Sequence, residues 1–174
     1  MSFEFDIQKS KLLEGVFIIK PSISRDIRGN IWTSFIKKHI ETLLPDQMYF
    51  KHDKFSISNQ NVLRGIHGDE KSWKLVTCVF GAIQQVVVDC RKDSDTYTLY
   101  ESFNINEDNQ ISILIPTHLG NAYYVNSANA VYHYKLAYDG EYIDADKQFS
   151  YKWNDPVFNI KWPTNNPIRS GRDK

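Results

Sequence analysis

The chain has 174 residues, and its 21 Lys and Arg residues balance 21 Asp and Glu residues, so the formal net charge at pH 7 is zero. A balanced charge gives no broad basic field for nucleic acid or an anionic membrane, and anion binding would depend on local clusters. The sequence has no run of eighteen apolar residues and no amino-terminal apolar segment of the secretory type. We therefore expect one cytoplasmic domain over residues 1–174, without a membrane span or a nucleic-acid partner.

The amino-terminal quarter of the chain predicts two strands followed by a short helix. Residues 17–23 are mostly β-branched or aromatic, and residues 31–35 follow a polar turn at 26–30. Within residues 35–44 the apolar side chains recur at helical spacing, and Pro45 ends the pattern. We expect one short amphipathic helix at this point.

From residue 48 onward the pattern is typical of antiparallel β-structure. Turn residues separate short apolar or alternating segments about every 8–12 residues, as in sandwiches and barrels. The predicted strands cover residues 54–57, 74–80, 83–89, 96–105, 110–115, 122–125 and 131–137. The tail from Trp153 is rich in Pro, Asn and Trp, which favours an ordered strap over the surface rather than another strand. The fold class is therefore all-β, an antiparallel sandwich or barrel with one or two short helices.

Several kinds of site lack their motifs. Cys78 and Cys90 have no metal-ligand spacing, so we interpret them as free thiols in the core. A zinc or iron site in such a fold needs His-x-His with a later carboxylate and His, whereas His67, His118 and His133 stand alone. We expect no metal. Motifs of hydrolases, NTPases and dinucleotide-binding proteins are absent as well.

Polar residues at the ends of predicted strands are the candidates for chemistry, because a rigid scaffold holds such groups firmly. The candidates are His67, Lys74, Asn121, Tyr134, Arg28 and Arg64. A lone histidine at a strand end is more often structural than basic, and a tyrosine in a strand is more often part of the core. On composition alone both interpretations stay open for each residue.

Several segments together resemble the dTDP-4-dehydrorhamnose 3,5-epimerase family of cupins. Val62-Leu63-Arg64-Gly65-Ile66-His67, followed by Lys74-Leu75-Val76, is similar to the core signature of that family. Further similar segments occur in the family's order: D-x-R-G at 26–29, I-P at 115–116, Y-K at 134–135, W-N-D-P at 153–156, I-x-W-P at 160–163 and S-x-x-D at 170–173. The resemblance implies a cupin jelly roll, a cofactor-independent epimerase of the isomerase class, and a homodimer with exchanged amino-terminal strands.

The resemblance also implies roles for the catalytic candidates. A carbonyl at C4 of a nucleotide-linked sugar acidifies the protons at C3 and C5, and inversion needs proton removal on one face and proton return on the other. His67 would be the base, oriented by Asp173, and Tyr134 would be the acid on the opposite face. Lys74 would stabilise the enolate at the C4 oxygen.

The diphosphate of the substrate calls for bidentate cations, a role that the resemblance gives to Arg64 and Arg28. Arg28 belongs to the exchanged amino-terminal region, so it would act in the site of a dimer partner.

The sequence departs from the family pattern at segments that line the sugar and nucleotide pockets. Asn121 stands at the position of a family histidine; its amide can donate to the C4 oxygen but cannot relay a proton. The segment His52-Asp53-Lys54-Phe55-Ser56 replaces Q-x-N-x-S, which makes His52 and Lys54 candidate substrate-binding residues. After His67, Gly68-Asp69-Glu70 replaces an aromatic pattern.

These departures favour a substrate other than the rhamnose precursor. We expect an epimerase of capsular polysaccharide biosynthesis that inverts C3, alone or with C5, of a GDP-linked 4-keto-heptose or 4-keto-6-deoxy sugar. The alternatives are a dTDP-4-dehydrorhamnose 3,5-epimerase proper, a 3,4-ketoisomerase, and a cupin that binds a nucleotide sugar without catalysis.

Overall fold

The computed structural model describes residues 4–173, which form two antiparallel sheets packed on each other and a separate two-stranded hairpin. The strands are, in chain order, β1 Phe5–Lys9, β2 Phe17–Pro21, β3 Ile23–Asp26, β4 Gly29–Trp32, β5 Tyr49–Asn59, β6 Leu63–Gly68, β7 Trp73–Phe80, β8 Ala82–Asp89, β9 Tyr100–Asn106, β10 Ser112–Ile115, β11 Leu119–Val125, β12 Asn129–Tyr138 and β13 Phe149–Ser150. The helical segments are α1 Lys37–Ile40, which continues into a 3-10 turn Glu41–Leu43, and two further 3-10 turns, Ala145–Lys147 and Gly171–Asp173.

One sheet has six strands in the order β1-β2-β10-β7-β12-β5, and the other has five in the order β13-β6-β11-β8-β9. Every strand pairing in both sheets is antiparallel. Apolar side chains from the facing sides of the two sheets, such as Val76 and Ile113 from one and Val87 and Val125 from the other, fill the space between them. The all-β sandwich predicted from the turn spacing is confirmed.

The predicted strands are present, but several have different ends. β5 runs from Tyr49 to Asn59 rather than over 54–57 alone, because its polar residues alternate between the two faces of an edge strand. Residues 96–99, predicted as strand, form a turn instead. The carboxylate of Asp89 accepts hydrogen bonds there from the hydroxyls of Ser94 and Thr96. The sequence analysis did not predict β1 and β13.

The predicted helix is present in a shorter form. α1 and its 3-10 continuation span residues 37–43. Ile40 is fully buried and packs with Leu44 against the six-stranded sheet. Among residues 4–173, no side chain caps the amino terminus of α1, so the buried apolar face holds this short segment in place.

The tail forms the predicted strap and ends inside the molecule. Trp153 is buried against Leu63, and the indole of Trp162 donates a 2.8 Å hydrogen bond to the Trp153 carbonyl oxygen. The tail then pairs with Val62 through a short bridge at Ile168 and brings Asp173 to β6. Residues far apart in sequence thus meet beside the R-G-I-H segment.

Gly65 in that segment is required by its surroundings. Its φ of 117° is one that side-chain-bearing residues rarely adopt, and an added Cβ would lie 2.5 Å from the carbonyl oxygen of Asn121. The glycine therefore lets β6 approach β11 closely, which places His67 directly opposite Asn121.

Both cysteines are free thiols, as predicted; Cys78 is buried and Cys90 is half-buried. Burial raises the pKa of Cys78 to about 11 and that of Cys90 to about 12. Within residues 4–173, no helix is long and apolar enough to cross a membrane. The described part of the chain also brings together no group of three His, Cys, Asp or Glu side chains that could hold a metal ion.

Candidate active site

A cavity of about 230 Å³ opens between the two sheets and is closed on one side by the end of the tail. Its walls carry an unusual number of polar and aromatic side chains. The lining residues are Lys54, Ser56, Arg64, His67, Lys74, Asn121, Tyr123, Tyr132, Tyr134, Leu136, Tyr142, Gln148, Ser170, Arg172 and Asp173. All five catalytic candidates named from the sequence lie in this set.

His67 is held by both of its ring nitrogens. Its Nε2 lies 2.6 Å from the Oδ1 of Asp173, and its Nδ1 lies 2.8 Å from the hydroxyl of Ser150. An ionised carboxylate can only accept hydrogen bonds, so the neutral ring carries its proton on Nε2 and its lone pair on Nδ1. Ser150, which lies opposite His67 in the β6–β13 pairing, donates to that lone pair.

Asp173 stays ionised although its side chain is only 5% exposed. Burial acts to raise its pKa, but hydrogen bonds from His67, from the Ser170 hydroxyl and from the Gly65 backbone N–H outweigh burial and bring the pKa down to about 2. The Ser170 hydroxyl lies 2.6 Å from Oδ2, and the Gly65 nitrogen lies 3.1 Å from Oδ1. The carboxylate is thus a fixed negative charge at neutral pH.

Lys74 at the start of β7 is a buried cation with a buried partner. Its Nζ lies 3.6 Å from Asp69 Oδ2, and the two side chains are 8% and 1% exposed. Burial lowers the pKa of Lys74, and the negative charge of Asp69 opposes that shift. Asp69 is itself fixed by the backbone N–H groups of Lys71 and Ser72.

Tyr134 enters the cavity from the sheet opposite to the one that carries His67. It lies on β12 of the six-stranded sheet, whereas His67 lies on β6 of the five-stranded sheet. Its hydroxyl makes no hydrogen bond to the residues that the structure describes. Burial raises the pKa of Tyr134, so the phenol is protonated at neutral pH and can act as an acid.

Asn121 has one end tied into the protein interior. Its Oδ1 accepts hydrogen bonds from Gln85 Nε2 at 2.6 Å and from the Tyr132 hydroxyl at 3.2 Å. The same hydroxyl proton is shared with Gln85 Oε1, which lies 2.9 Å from the Tyr132 oxygen. This arrangement leaves the Nδ2 amino group of Asn121 as a neutral donor toward the cavity.

The candidate substrate-binding residues divide into those that reach the cavity and those that do not. Arg64 lines it and donates to the Ser58 hydroxyl at 3.1 Å, and Lys54 lines it beside Tyr142. His52 lies behind Tyr142, with ring centroids 4.8 Å apart, and is not part of the cavity wall. The expectation that His52 contacts the substrate has no support from this geometry.

Arg28 also lies outside the cavity of its own chain. It sits at the turn of the β3–β4 hairpin, its side chain is 84% exposed, and its guanidinium bonds to Asp26. A single chain therefore does not bring Arg28 to the cavity that contains His67.

Sequence reasoning missed several residues of the site. Tyr142 and Gln148 lie in an irregular loop without any motif, and Ser150 lies in a two-residue strand. Tyr132 was not singled out; it is buried, and its hydroxyl donates to Asn121. Ser170 and Arg172 lie inside the S-x-x-D element, so that motif was the one signal available.

A cupin-type β-sandwich in which a histidine of one sheet pairs with an aspartate of the tail, and a tyrosine hydroxyl enters from the other sheet, has the groups of an acid–base enzyme. The family model described as dTDP-4-dehydrorhamnose 3,5-epimerase matches residues 10–174. The chain belongs to this family and is an epimerase, an enzyme of the isomerase class.

Individual relatives agree with this assignment. A dTDP-4-dehydrorhamnose 3,5-epimerase of Salmonella typhimurium is 32% identical over 151 residues, which cover 85% of this chain and 81% of the relative. The crystal structure of dTDP-6-deoxy-D-glucose-3,5-epimerase from Legionella pneumophila, in complex with dTDP-4-keto-L-rhamnose, superposes with a TM-score of 0.88 at 31% identity, covering 98% of this chain and 90% of that one. A 4-keto-6-deoxy sugar epimerase from Streptomyces spheroides also gives a TM-score of 0.88, at 28% identity, covering 98% and 85%.

Proposed function

We propose that this enzyme inverts C3, alone or together with C5, of a nucleotide-linked 4-keto sugar by way of an enolate. The main support for this proposal is that His67 and Tyr134 lie on opposite sheets and line the same cavity. Inversion needs a base on one face of the sugar and an acid on the other, and a module that only binds sugars has no need of that pair.

In the proposed reaction the Ser150 hydroxyl turns away from the Nδ1 of His67, and this nitrogen takes the proton from the carbon next to the carbonyl. Asp173 stabilises the imidazolium that forms. The electrons of the broken C–H bond move to the C4 oxygen, where the buried ammonium of Lys74 and the amide of Asn121 stabilise the negative charge. Tyr134 then gives its proton to the opposite face of the same carbon.

The cavity fits the sugar rather than the whole nucleotide sugar. Its volume of about 230 Å³ lies below the roughly 300–1,000 Å³ of pockets that enclose complete drug-sized ligands. The nucleotide must therefore extend outside it, and Arg64 in the cavity wall provides a bidentate cation for the diphosphate.

The relatives favour a dTDP-linked 4-keto-6-deoxy sugar as the substrate, because the named ones act on or bind such sugars. They give no support to the GDP-linked 4-keto-heptose expected from the sequence. That sugar remains the second candidate for one reason, which is that Lys54, Asn121 and Asp69 depart from the family pattern and lie in or against the cavity wall. A role in capsular polysaccharide biosynthesis and a cytoplasmic location stay predictions.

We further propose that the enzyme acts as a homodimer. The outer face of the β5 side of the six-stranded sheet exposes Phe55, Ile57 and Phe80, which are 63%, 73% and 55% accessible. Ile57 and Phe80 both lie beside Val131 of β12, so the three side chains form one apolar patch, which typically marks a protein interface.

The experiment that tests the reaction uses the purified protein in D2O with dTDP- and GDP-linked 4-keto sugars, followed by NMR at C3 and C5. Exchange with inversion at both carbons shows a 3,5-epimerase, and inversion at C3 alone shows a 3-epimerase. A moved carbonyl would show a ketoisomerase. If no substrate exchanges a proton, the protein is a binding module and the proposal is wrong.

A further inference from the structure

Lys54 is a cation of the cavity wall that has no part in the reaction as described so far. Lys54 of β5 lies directly opposite Tyr134 of β12, and both side chains point into the cavity. Directly opposed residues of an antiparallel pair have Cβ atoms about 4.5–5.5 Å apart. The lysine and the phenol are therefore immediate neighbours on one wall.

Tyr142 holds Lys54 in place without neutralising it. The Lys54 Nζ lies 2.6 Å from the Tyr142 hydroxyl and 4.1 Å from the centroid of its ring. In the described part of the chain, no carboxylate lies within ion-pair distance of Lys54. The ammonium therefore keeps its full charge beside Tyr134.

Tyr134 needs such a charge at one moment of the reaction. When its phenol gives up a proton, a phenolate is left in a half-buried position, where an unpaired negative charge is costly. Burial raises the pKa of Tyr134, and of the neighbouring groups that oppose this shift Lys54 has the larger effect and Arg64 the smaller.

We propose that Lys54 is the counter-ion of the Tyr134 phenolate that forms when the enolate is protonated. In that step the phenol O–H bond breaks, a C–H bond forms on the sugar, the C4 carbonyl is restored, and the phenolate stays beside the ammonium. The imidazolium of His67 later returns its proton to the phenolate through solvent, which restores both residues. Lys54 is thus a positioning residue for the acid, and this inference rests on the proposed epimerase function.

Other groups face Tyr134 from the elements around it. Arg64 approaches from β6, Tyr123 from β11, Tyr132 from β12 and Tyr142 from the following loop. His67, Lys74, Arg172 and Asp173 line the same cavity. Lys54 is singled out because it alone is a cation paired in register with Tyr134.

The test compares Lys54→Met with Lys54→Arg, which keeps the charge, and with Lys20→Met, the same substitution at an exposed site of β2. In D2O, Lys54→Met should keep the exchange catalysed by His67 but lose about tenfold or more in the rate of inversion, since a nearby cation shifts such a pKa by about one unit or more. In a plot of inversion rate against pH, the alkaline limb of this variant should move to higher pH, because Tyr134 stays protonated up to a higher pH without the neighbouring cation. Lys54→Arg should retain most of the inversion, and Lys20→Met all of it.

A substrate-free measurement separates failure of this inference from failure of the proposed function. Phenolate absorbance is titrated in the wild type and in Lys54→Met, each against its own Tyr134→Phe counterpart, and Tyr134 should ionise at higher pH when Lys54 is absent. An unchanged Tyr134 titration would overturn the inference whether or not the enzyme turns over. So would a Lys54→Met enzyme whose KM rises while its ratio of inversion to exchange stays at the wild-type value, because Lys54 would then only bind the substrate.

Discussion

The Oδ1 atom of Asn121 lies 2.6 Å from the Nε2 of Gln85, and this contact decides which end of the Asn121 amide faces the cavity. Gln85 is fully buried, and its own Oε1 is occupied by Tyr132. Its Nε2 also donates to the Val86 carbonyl oxygen at 3.0 Å, a hydrogen bond that would be lost if the amide turned over, so Asn121 is held with its amino group toward the cavity.

Asn121→Asp should preserve the fold and damage the reaction. The new carboxylate can still accept from Gln85 and Tyr132, but its second oxygen replaces a donor with a negative charge where the enolate oxygen develops. Removal of one such donor costs about 10²–10³ in kcat, and repulsion should make the loss at least as large. Proton exchange at C3 in D2O measures it, and urea unfolding checks the fold. Exchange within threefold of the wild type would show that Asn121 does not contact the C4 oxygen.

Asp69→Asn should lower the pKa of Lys74 by removing its buried negative partner. Asp69 opposes the lowering of the Lys74 pKa by burial, so its loss lowers that pKa further and leaves less ammonium at neutral pH. Exchange and inversion should fall together, and the alkaline limb of both should move to lower pH, opposite to the shift expected for Lys54→Met. Profiles of rate against pH for the two variants, run side by side, check the two directions.

The same substitution should reduce stability by about 3–5 kcal/mol, the usual cost of leaving one member of a buried ion pair alone. The double variant Asp69→Asn with Lys74→Met removes both charges and is the matched control. Its urea midpoint should recover toward the wild type while its activity does not. A single variant as stable as the wild type would contradict a buried ion pair at this position.

How much of this site could be anticipated depended on where its residues lie along the chain. His67, Lys74 and Tyr134 sit in or at the ends of apolar segments that predict strands, and the joint order of the motifs placed Asp173 with them. The ion pair between Asp69 and Lys74, in contrast, spans a turn with no hydrophobic pattern. The sequence showed only that Asp69 stands where the family has an aromatic pattern. The hydrogen bond between Lys54 and Tyr142 joins residues that are 88 positions apart, and no local sequence pattern predicts such a contact.

The fold shows the same division. The buried strands β7 and β8 were predicted nearly in full, because continuous apolar residues leave little choice. β1 and β13 are short edge strands with at least one exposed residue each, and only tertiary pairing makes them strands. The strand prediction for residues 96–99 was wrong because a tertiary contact overrides the local preference for strand: the carboxylate of Asp89 accepts hydrogen bonds from this segment and holds it in a turn.

Asp173→Asn should impair both the base and the stability. Every polar neighbour of the Asp173 carboxylate is a donor, namely the Gly65 N–H, His67 and the Ser170 hydroxyl and N–H. In either orientation of the asparagine amide, its amino group would face one of these donors and could not bond to it. The tautomer of His67 is then no longer held, and in a comparable His–Asp pair such a change lowers kcat by about 10⁴. The rate of C3 exchange measures the loss, and Ser170→Ala, which removes one donor only, is the milder control.

The stability effect of Asp173 has a definite pH window. Its folded pKa of about 2 lies below the ordinary value of 3.8, so the ionised form stabilises the fold above pH 3.8, and this contribution disappears as the pH falls from 3.8 toward 2. The difference in urea midpoint between the wild type and Asp173→Asn should therefore shrink as the pH falls from 4 toward 2. A difference that stays constant down to pH 2 would exclude this linkage.

Arg28 offers the sharpest test of the dimer, because it can be separated from His67 in a mixed pair of chains. If Arg28 serves the partner's cavity, Arg28→Ala and His67→Asn should each be nearly inactive alone. A mixed dimer would contain one cavity with both changes and one with an intact His67 and an intact Arg28 from the other chain. Mixed dimers are obtained by co-expression with two different tags and purification on both, and they should show about half of the wild-type rate per dimer. If Arg28 acted within its own chain, the mixed dimer would contain no intact site and would stay inactive.

The variant Phe55→Glu places a charge on the exposed apolar patch. It should prevent dimerisation, which light scattering measures, and it should also prevent the recovery of activity in the mixed dimer, which the exchange assay measures.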